Sequence, residues 1–296
     1  MRLLIALTVF CCLLGALDRR LWKANHGFSL SIIETSMPLK QSLKMTAPQE
    51  IFKQSFYYLG RGSQSFVFES EDKKTVLKFY RFPSHLRKIP WAHHPFGYLF
   101  SSKRQKIKAY NLKKLHLSLH SFCLAAEPLS KETGVLYVHL APTSELCQKV
   151  HLIDRRGSHY YLPLDPLTFI IQKKGAPFLS VFKTATQEMQ KQMLDSLIML
   201  IAKRCEYNIT DLDNMDNDNY GWGNNEAMHL DIGRFQEKAD LNAKDEILRI
   251  THPLIRYLAD NHLELHAFYL ERVDLVAMGE GKKIKTPGIE KNNLSM

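Results

Sequence analysis

The residues with chemical capacity fall in three separated segments. The densest is Ile209 to Gly221, where Asp211, Asp213, Asp216 and Asp218 place four carboxylates within eight residues, with Asn214 and Asn219 among them. Asp and Asn oxygens are hard ligands of the kind magnesium and calcium take. A calcium loop opening at Asp216 accommodates Asp218 and Gly221. Its twelfth position is Ala227, where a bidentate glutamate is required, so a calcium loop is excluded. An Asx-rich turn accounts for the composition. It does not account for the strand-like run Met228-His-Leu-Asp-Ile232 that follows, with Asp231 near its end. The second segment is Leu59-Gly-Arg-Gly-Ser-Gln-Ser-Phe-Val-Phe68, a glycine-rich turn between two strand-like pieces. Gly60 and Gly62 let backbone N–H groups approach a phosphate with no Cβ in the way; a plain hairpin turn uses glycine as well. No Gly-Lys-Ser/Thr follows and no helix opens after it, which excludes a P-loop and a dinucleotide fingerprint. The third is Lys78, between Leu77 and Phe79 on the next strand, whose side chain points away from those two neighbours. It covers a surface or contacts phosphates.

The elements that must position these residues are legible in part. Phe56–Leu59, Phe66–Glu69 and Thr75–Tyr80 read as strands, and Glu71–Lys74 as the second turn. Ser101–Leu119 has helical spacing, with Ile107, Leu112, Leu115 and Leu119 on one face. Val135–Leu140 and Leu167–Gln172 read as buried strands. Thr186–Arg204 is a helix whose stripe of Met189, Met193, Leu197, Leu200 and Ile201 fills a core, and helical patterns run from Phe235 to about residue 278. A strand-rich first half and a helix-rich second half give an α+β chain with two lobes.

Taken in order, the three segments resemble the protein-kinase-like superfamily. Gly60-x-Gly62-x-x-Ser65-x-Val67 is similar to its glycine-rich loop, with Ser65 at the third glycine. Lys78 matches the lysine that holds the α/β-phosphates. Asn219 matches the catalytic-loop asparagine that binds magnesium, and Asp231-Ile-Gly233, twelve residues on, the Asp-Phe-Gly metal site. Phe169–Gly175 then stands as the last small-lobe strand and hinge. The resemblance covers about residues 51–278. It implies a bilobal fold with a β-rich N-lobe (51–174) and an α-helical C-lobe (175–280), and ATP and Mg2+ as cofactors. The backbone from Gly60 to Ser65, Ser63 included, and Lys78 then hold the nucleotide, and Asn219 and Asp231 the metal. The layout is closest to small-molecule and lipopolysaccharide-sugar kinases of bacterial type, because only 63 residues follow Gly233 and no Ala-Pro-Glu segment occurs.

Two departures bear on activity. The family's His-Arg-Asp is absent, and the place of its base, five residues before the asparagine, is held by Asn214. A one-residue insertion makes Asp213 the catalytic base; Asp211 is the poorer candidate. The glutamate that pairs with the lysine is also missing: from Lys73 to Ala126 there is no acid at all, and Lys108 stands about where it is expected. Two expectations follow. One is a phosphotransferase acting on a hydroxyl acceptor, a sugar or lipid-linked sugar. The other is a pseudokinase serving as a membrane-anchored binding module.

Composition narrows the field further. With 45% hydrophobic and 24% charged residues the 296-residue chain is globular, which excludes wholesale disorder and fibrous classes. The apolar run Leu3–Leu17 after Met1-Arg2 has the layout of a signal or anchor over residues 1–22, with 23–50 as linker and 281–296 as a basic tail. Leu14 and Ala16 make a poor cleavage site, so an uncleaved single anchor is expected, and Arg19, Arg20 and Lys23 favour the domain on the cytoplasmic side; the alternative is export after cleavage. Five widely spaced cysteines give no disulfide framework and no CxxC metal pattern. The net charge of +10 is unevenly held: residues 73–126 carry twelve Lys and Arg, so the rest of the chain nets −2. That polarity suits a magnesium-bound polyphosphate or an anionic membrane. Nucleic acid is disfavoured, since no recognised nucleic-acid-binding motif occurs.

Overall fold

The structure, a computed structural model, describes residues 2–35, 39, 43–83, 101–216 and 219–278. It is a mixed α+β protein that divides into two compact units, Met1–Leu119 with Val135–Lys174, and His120–Gly134 with Gly175–Met296. The tail 281–296 lies outside the described residues.

The first unit opens with α1 (Arg2–Ala24), α2 (Leu30–Ile33) and α3 (Gln49–Phe52). Strands β1 (Ser55–Arg61), β2 (Ser65–Ser70) and β3 (Thr75–Tyr80) follow, then α4 (Ser101–Ala126), whose residues from His120 on belong to the second unit together with α5 (Ser130–Thr133). β4 (Val135–His139), β5 (Lys149–Ile153), β6 (His159–Pro163) and β7 (Phe169–Lys173) complete a seven-stranded sheet in the order β4-β7-β3-β2-β1-β5-β6. Neighbours are antiparallel except β1 and β5, which run parallel. Strict alternation puts Phe56, Phe66, Phe68, Leu77 and Phe79 on one face, all fully buried with Phe169 and Ile171. The hairpin β5–β6 is not evident in the sequence pattern, because His151, His159, Tyr160 and Tyr161 blur the alternation. Its turn is fixed locally: Asp154 accepts from the backbone N–H of Arg156 and Ser158, and Gly157 takes φ +80°.

The stretch expected as linker over 23–50 is in part core. Phe28, Ile32 and Ile33 are buried in the same cluster as the sheet aromatics, and Phe28 meets Phe66, Phe68 and Tyr160 edge to face at 5.2, 5.2 and 5.9 Å. Polar composition hid three anchors spaced along one short segment. Along α1 Phe10, Leu13, Leu14 and Leu17 are exposed; among the described residues no helix is long and apolar enough to cross a membrane. α4 runs seven residues past the expected Leu119, and Ile107, expected on its apolar face, is 40% exposed.

The second unit holds β8 (Ala176–Pro177), α6 (Phe178–Phe182), α7 (Gln187–Glu206), β9 (Ile209–Asp211), β10 (Tyr220–Gly223), β11 (Glu226–His229), β12 (Phe235–Glu237), α8 (Ala243–Asn261) and α9 (Leu263–Ala277). α7 is capped by Thr186, whose hydroxyl accepts from Met189 N–H, and α8 by Asn242, which accepts from Asp245 N–H. Met193, Leu197 and Ile201 of α7 interleave with Ile247, Ile250, Leu254 and Leu258 of α8 and with Leu265, Tyr269 and Val273 of α9. The helical second half therefore also carries two small ribbons, β11-β10-β8 and β12-β9.

Candidate active site

The candidate residues form two groups, one in each unit. In the first, register does the positioning. Gly60 pairs with Val67, Val67 with Lys78, Lys78 with Ile170 and Ile170 with Val138, so these five lie in one row across the sheet. Gly60 reaches that row because Leu59 is a bulge: Tyr58 pairs with Phe68 and Gly60, not Leu59, with Val67. Two strand spacings separate Gly60 from Lys78, roughly 10 Å between backbones. The row is on the face opposite Leu77 and Phe79, where Lys78 is half-buried alongside Val76 and Tyr80. Glu69, two rows away on the same face, is ion-paired with Lys174.

The turn itself is oriented by Arg81. Its backbone N–H donates to Gln64 O (2.8 Å), and its guanidinium donates to Gly62 O (2.5 Å) and Ser63 O (3.4 Å) while lying 4.9 Å over the Phe66 ring. Trans peptide planes hold C=O and N–H in opposite directions. With the carbonyls of residues 62–64 turned to Arg81, the N–H groups of Ser63, Gln64 and Ser65 point away from it. Among the described residues, flanking ones aside, no atom lies within 4 Å of a Cβ built on Gly60 or Gly62, and neither has a positive φ. Neither the fold nor a neighbour demands glycine there; a side chain would fill the open space above the turn. That cradle fits a phosphate held by backbone N–H groups.

The second group is built on β9 and β12. Asp211 ends β9 opposite Phe235, and its Oδ1 accepts from Asp213 N–H at 3.0 Å. Beneath it lies Arg204, fully buried. Arg204 donates to Glu246 Oε1 (2.9 Å) and Ile209 O (3.1 Å), and stands 3.9 Å from Asp211. Glu246 also accepts from Thr210 Oγ1 (2.8 Å) and from Arg249 Nε and Nη2 (3.0 and 2.9 Å). Burial acts to raise its carboxyl, but the bonds from Arg249 and Thr210 and the charge of Arg204 hold it below the usual range. Arg204 is thus committed to Glu246 at contact, and burial pushes the more distant Asp211 up to about 7.

Asp213 differs from Asp211. It is half-exposed and 3.4 Å from Arg234. Burial raises its carboxyl, Arg234 opposes that, and the charges of Asp231 and Asp216 add to the rise. Arg249 holds the intervening loop, donating to Asp211 O (2.5 Å) and Asn214 Oδ1 (3.3 Å), and Met215 N–H donates to Ile250 O (2.9 Å) of the same helix. Pro253 lies within α8 and has no N–H for the Arg249 carbonyl, which opens the ladder at that turn.

Asn219 and Asp231 are tied together through the backbone. Asn219 O accepts from Leu230 N–H (2.8 Å) and Asp231 N–H (3.2 Å). Gly221 makes this approach possible, since a Cβ there would stand 2.7 Å from Leu230 Cδ2. Asn219 Nδ2 donates to Asn214 O, leaving Oδ1 as the acceptor, and Asp231 Oδ1 accepts from Gly233 N–H at 3.1 Å. Among the described residues no three His, Cys, Asp or Glu side chains are grouped to hold a metal ion. One amide and one carboxylate oxygen fit a magnesium ion that completes its shell with phosphate oxygens and water. Lys108, where the family glutamate was expected, is exposed on α4.

Structure thus groups Gly60, Gly62, Ser63, Ser65 and Lys78 in one unit and Asp213, Asn219 and Asp231 in the other. Sequence reasoning missed Arg81, Arg204, Arg234, Glu246 and Arg249. Their sole local signal is the i,i+3 spacing of Glu246 and Arg249.

No protein-family profile matches the chain, and no curated protein does. Among solved structures it is similar to WbdD, described as a bifunctional kinase-methyltransferase: 10% identical with a TM-score of 0.36, over 76% of this chain and 44% of that one. A co-crystal of WbdD with the kinase inhibitor LY294002 gives 15%, 0.37, 78% and 46%. A high-resolution crystal structure of WbdD gives 11%, 0.37, 72% and 44%. The chain spans less than half the length of these structures.

Proposed function

We propose that the chain is an ATP- and magnesium-dependent phosphotransferase on a bilobal kinase-like fold, acting on a hydroxyl acceptor. The observation that carries the reading is the row Gly60–Val67–Lys78, with open space above both glycines and the turn's carbonyls drawn away by Arg81. Lys78 and the N–H groups of Ser63 to Ser65 take the nucleotide phosphates. Asn219 and Asp231 supply the metal's oxygen ligands, and bound magnesium neutralises phosphate charge. Asp213, half-exposed with its carboxyl raised, accepts the acceptor's proton, whereas Asp211 is buried and held by Asp213 N–H. A sugar or lipid-linked sugar is the proposed acceptor. Placement at a membrane through residues 1–22, with the domain in the cytoplasm, is a proposal that rests on the apolar run Leu3–Leu17 and on Arg19, Arg20 and Lys23 after it.

A second reading, a nucleotide-binding module without turnover, is favoured by one observation: residues 73–126 contain no acid, so that segment offers Lys78 no carboxylate. The test uses the full chain, because Phe28, Ile32 and Ile33 belong to the core. Mg-ATP at a hundred times its Kd should stabilise the protein by about 2.7 kcal/mol. Lys78→Ala and Asp231→Ala should lose that shift. Absence of any shift in the unaltered chain sinks both readings; a shift without phosphate transfer to any sugar or lipid acceptor selects the second.

A further inference from the structure

Ser121 lies on the buried stripe of α4, at helical spacing with Ser118, Phe122 and Ala125, and is fully enclosed. A serine inside a helix ordinarily returns its hydroxyl to the carbonyl four residues back. Ser118 does so, donating to Lys114 O at 3.1 Å. Ser121 instead reaches the loop of the second unit that carries Asp231. Its Oγ donates to Ile232 O at 2.6 Å and accepts from Phe235 N–H at 2.7 Å. A hydroxyl has one hydrogen to give, and Ser121 spends it on this loop. Ile232 and Phe235 are themselves buried, which puts both backbone groups where a missing partner is costly.

One peptide plane connects this contact to Asp231. Ile232 C=O and Gly233 N–H belong to the same trans unit and point in opposite directions. Ser121 takes the carbonyl end. The Asp231 carboxylate takes the other, its Oδ1 accepting from Gly233 N–H at 3.1 Å. Rotation of that plane would carry the N–H away from the carboxylate. Gly233 leaves the rotated plane accessible, because a residue without Cβ takes positive φ at little cost; here its φ is not positive. Other bonds hold the loop without touching this plane: Asp231 N–H donates to Asn219 O, and Leu212 N–H to Arg234 O, both at 3.2 Å. The Ser121 hydroxyl also brackets Arg234, whose guanidinium stands 3.4 Å from Asp213.

We infer that Ser121 is a positioning residue for the metal site, its hydroxyl selecting the orientation of the Ile232–Gly233 peptide that aims the Asp231 carboxylate. The role rests on the phosphotransferase reading of Asp231 as a magnesium ligand. Ser121 acts there through the backbone and not by contact with the metal.

Two measurements on the full chain test this. In the first, amide exchange is followed without ligand in the unaltered protein, in Ser121→Ala and in Ser121→Cys, which is nearly isosteric but a weak donor. Phe235 N–H loses its acceptor directly in Ser121→Ala. Gly233 N–H bonds to Asp231, so its exchange reports the peptide plane instead. It should quicken at least about tenfold in Ser121→Ala. In the second, magnesium is titrated at fixed ATP and the concentration giving half of the Mg-ATP thermal shift is read. That midpoint should rise at least about tenfold in both variants, as when a group supporting a metal ligand is removed. Ser118→Ala should move neither readout, since its hydroxyl is bonded within its own helix. A lowered melting temperature with Gly233 exchange unchanged would make Ser121 a purely structural residue and overturn the inference. Faster Gly233 exchange with an unmoved magnesium midpoint would overturn it too, while leaving the phosphotransferase reading standing. Absence of any Mg-ATP shift in the unaltered chain would sink that reading and the inference with it.

Discussion

Replacing Asp211 by asparagine tests the buried charge network directly. Asp211 is 3% exposed, and its carboxyl is raised from 3.8 to about 7 by burial, with Arg204 at 3.9 Å opposing. A carboxyl whose folded pKa lies above its unfolded value contributes stability that is fully present below pH 3.8 and lost as pH rises through about 7. The shift of about three units corresponds to roughly 4 kcal/mol between those limits. Asparagine cannot ionise, but its side-chain oxygen can still accept from Asp213 N–H. The stability of Asp211→Asn relative to the unaltered chain should therefore rise between about pH 4 and pH 8, by up to roughly 4 kcal/mol, and level off above. Urea unfolding at a series of pH values, with the m-value tracked to confirm that the same surface unfolds, measures the difference. A difference that is flat with pH, or that falls as pH rises, would refute the reasoning. It would mean that Arg204 holds Asp211 as an ion and that Glu246 does not monopolise the guanidinium.

Three further outcomes are expected. Phe28→Ala removes a ring buried against Phe66, Phe68 and Tyr160 and should cost about 3–5 kcal/mol in thermal unfolding; a loss under about 1 kcal/mol would return residues 23–50 to the status of linker. Gly60→Ala should leave stability within about 0.5 kcal/mol, because the space above it is open, while weakening Mg-ATP binding. Gly221→Ala should destabilise outright, because Leu230 already occupies the place of its Cβ.

Particular residues show what the sequence by itself determined. Alternation in Phe66-Val-Phe68 and Leu77-Lys-Phe79 was enough to place strands and to send Lys78 to the face opposite the core, because period two is a local property. Helical spacing located α7 for the same reason, whereas the helical pattern read from Phe235 on begins with strand β12 and breaks into α8 and α9. The acidic run around Asp213 and its separation from Asp231 were visible as composition. Only the tertiary structure decided what each group is worth. The bulge at Leu59 moves Gly60 into the row of Lys78, and a one-residue slip cannot be read from two glycines. Asp211 and Asp213 look alike in sequence. One is buried over Arg204 and Glu246, which arrive from helices on either side of it in the chain, and the other is half-exposed beside Arg234. Phe28, within a polar stretch, becomes core because three distant rings close around it. Burial, register and charge pairing are set by partners far along the chain, and those partners carry no local mark.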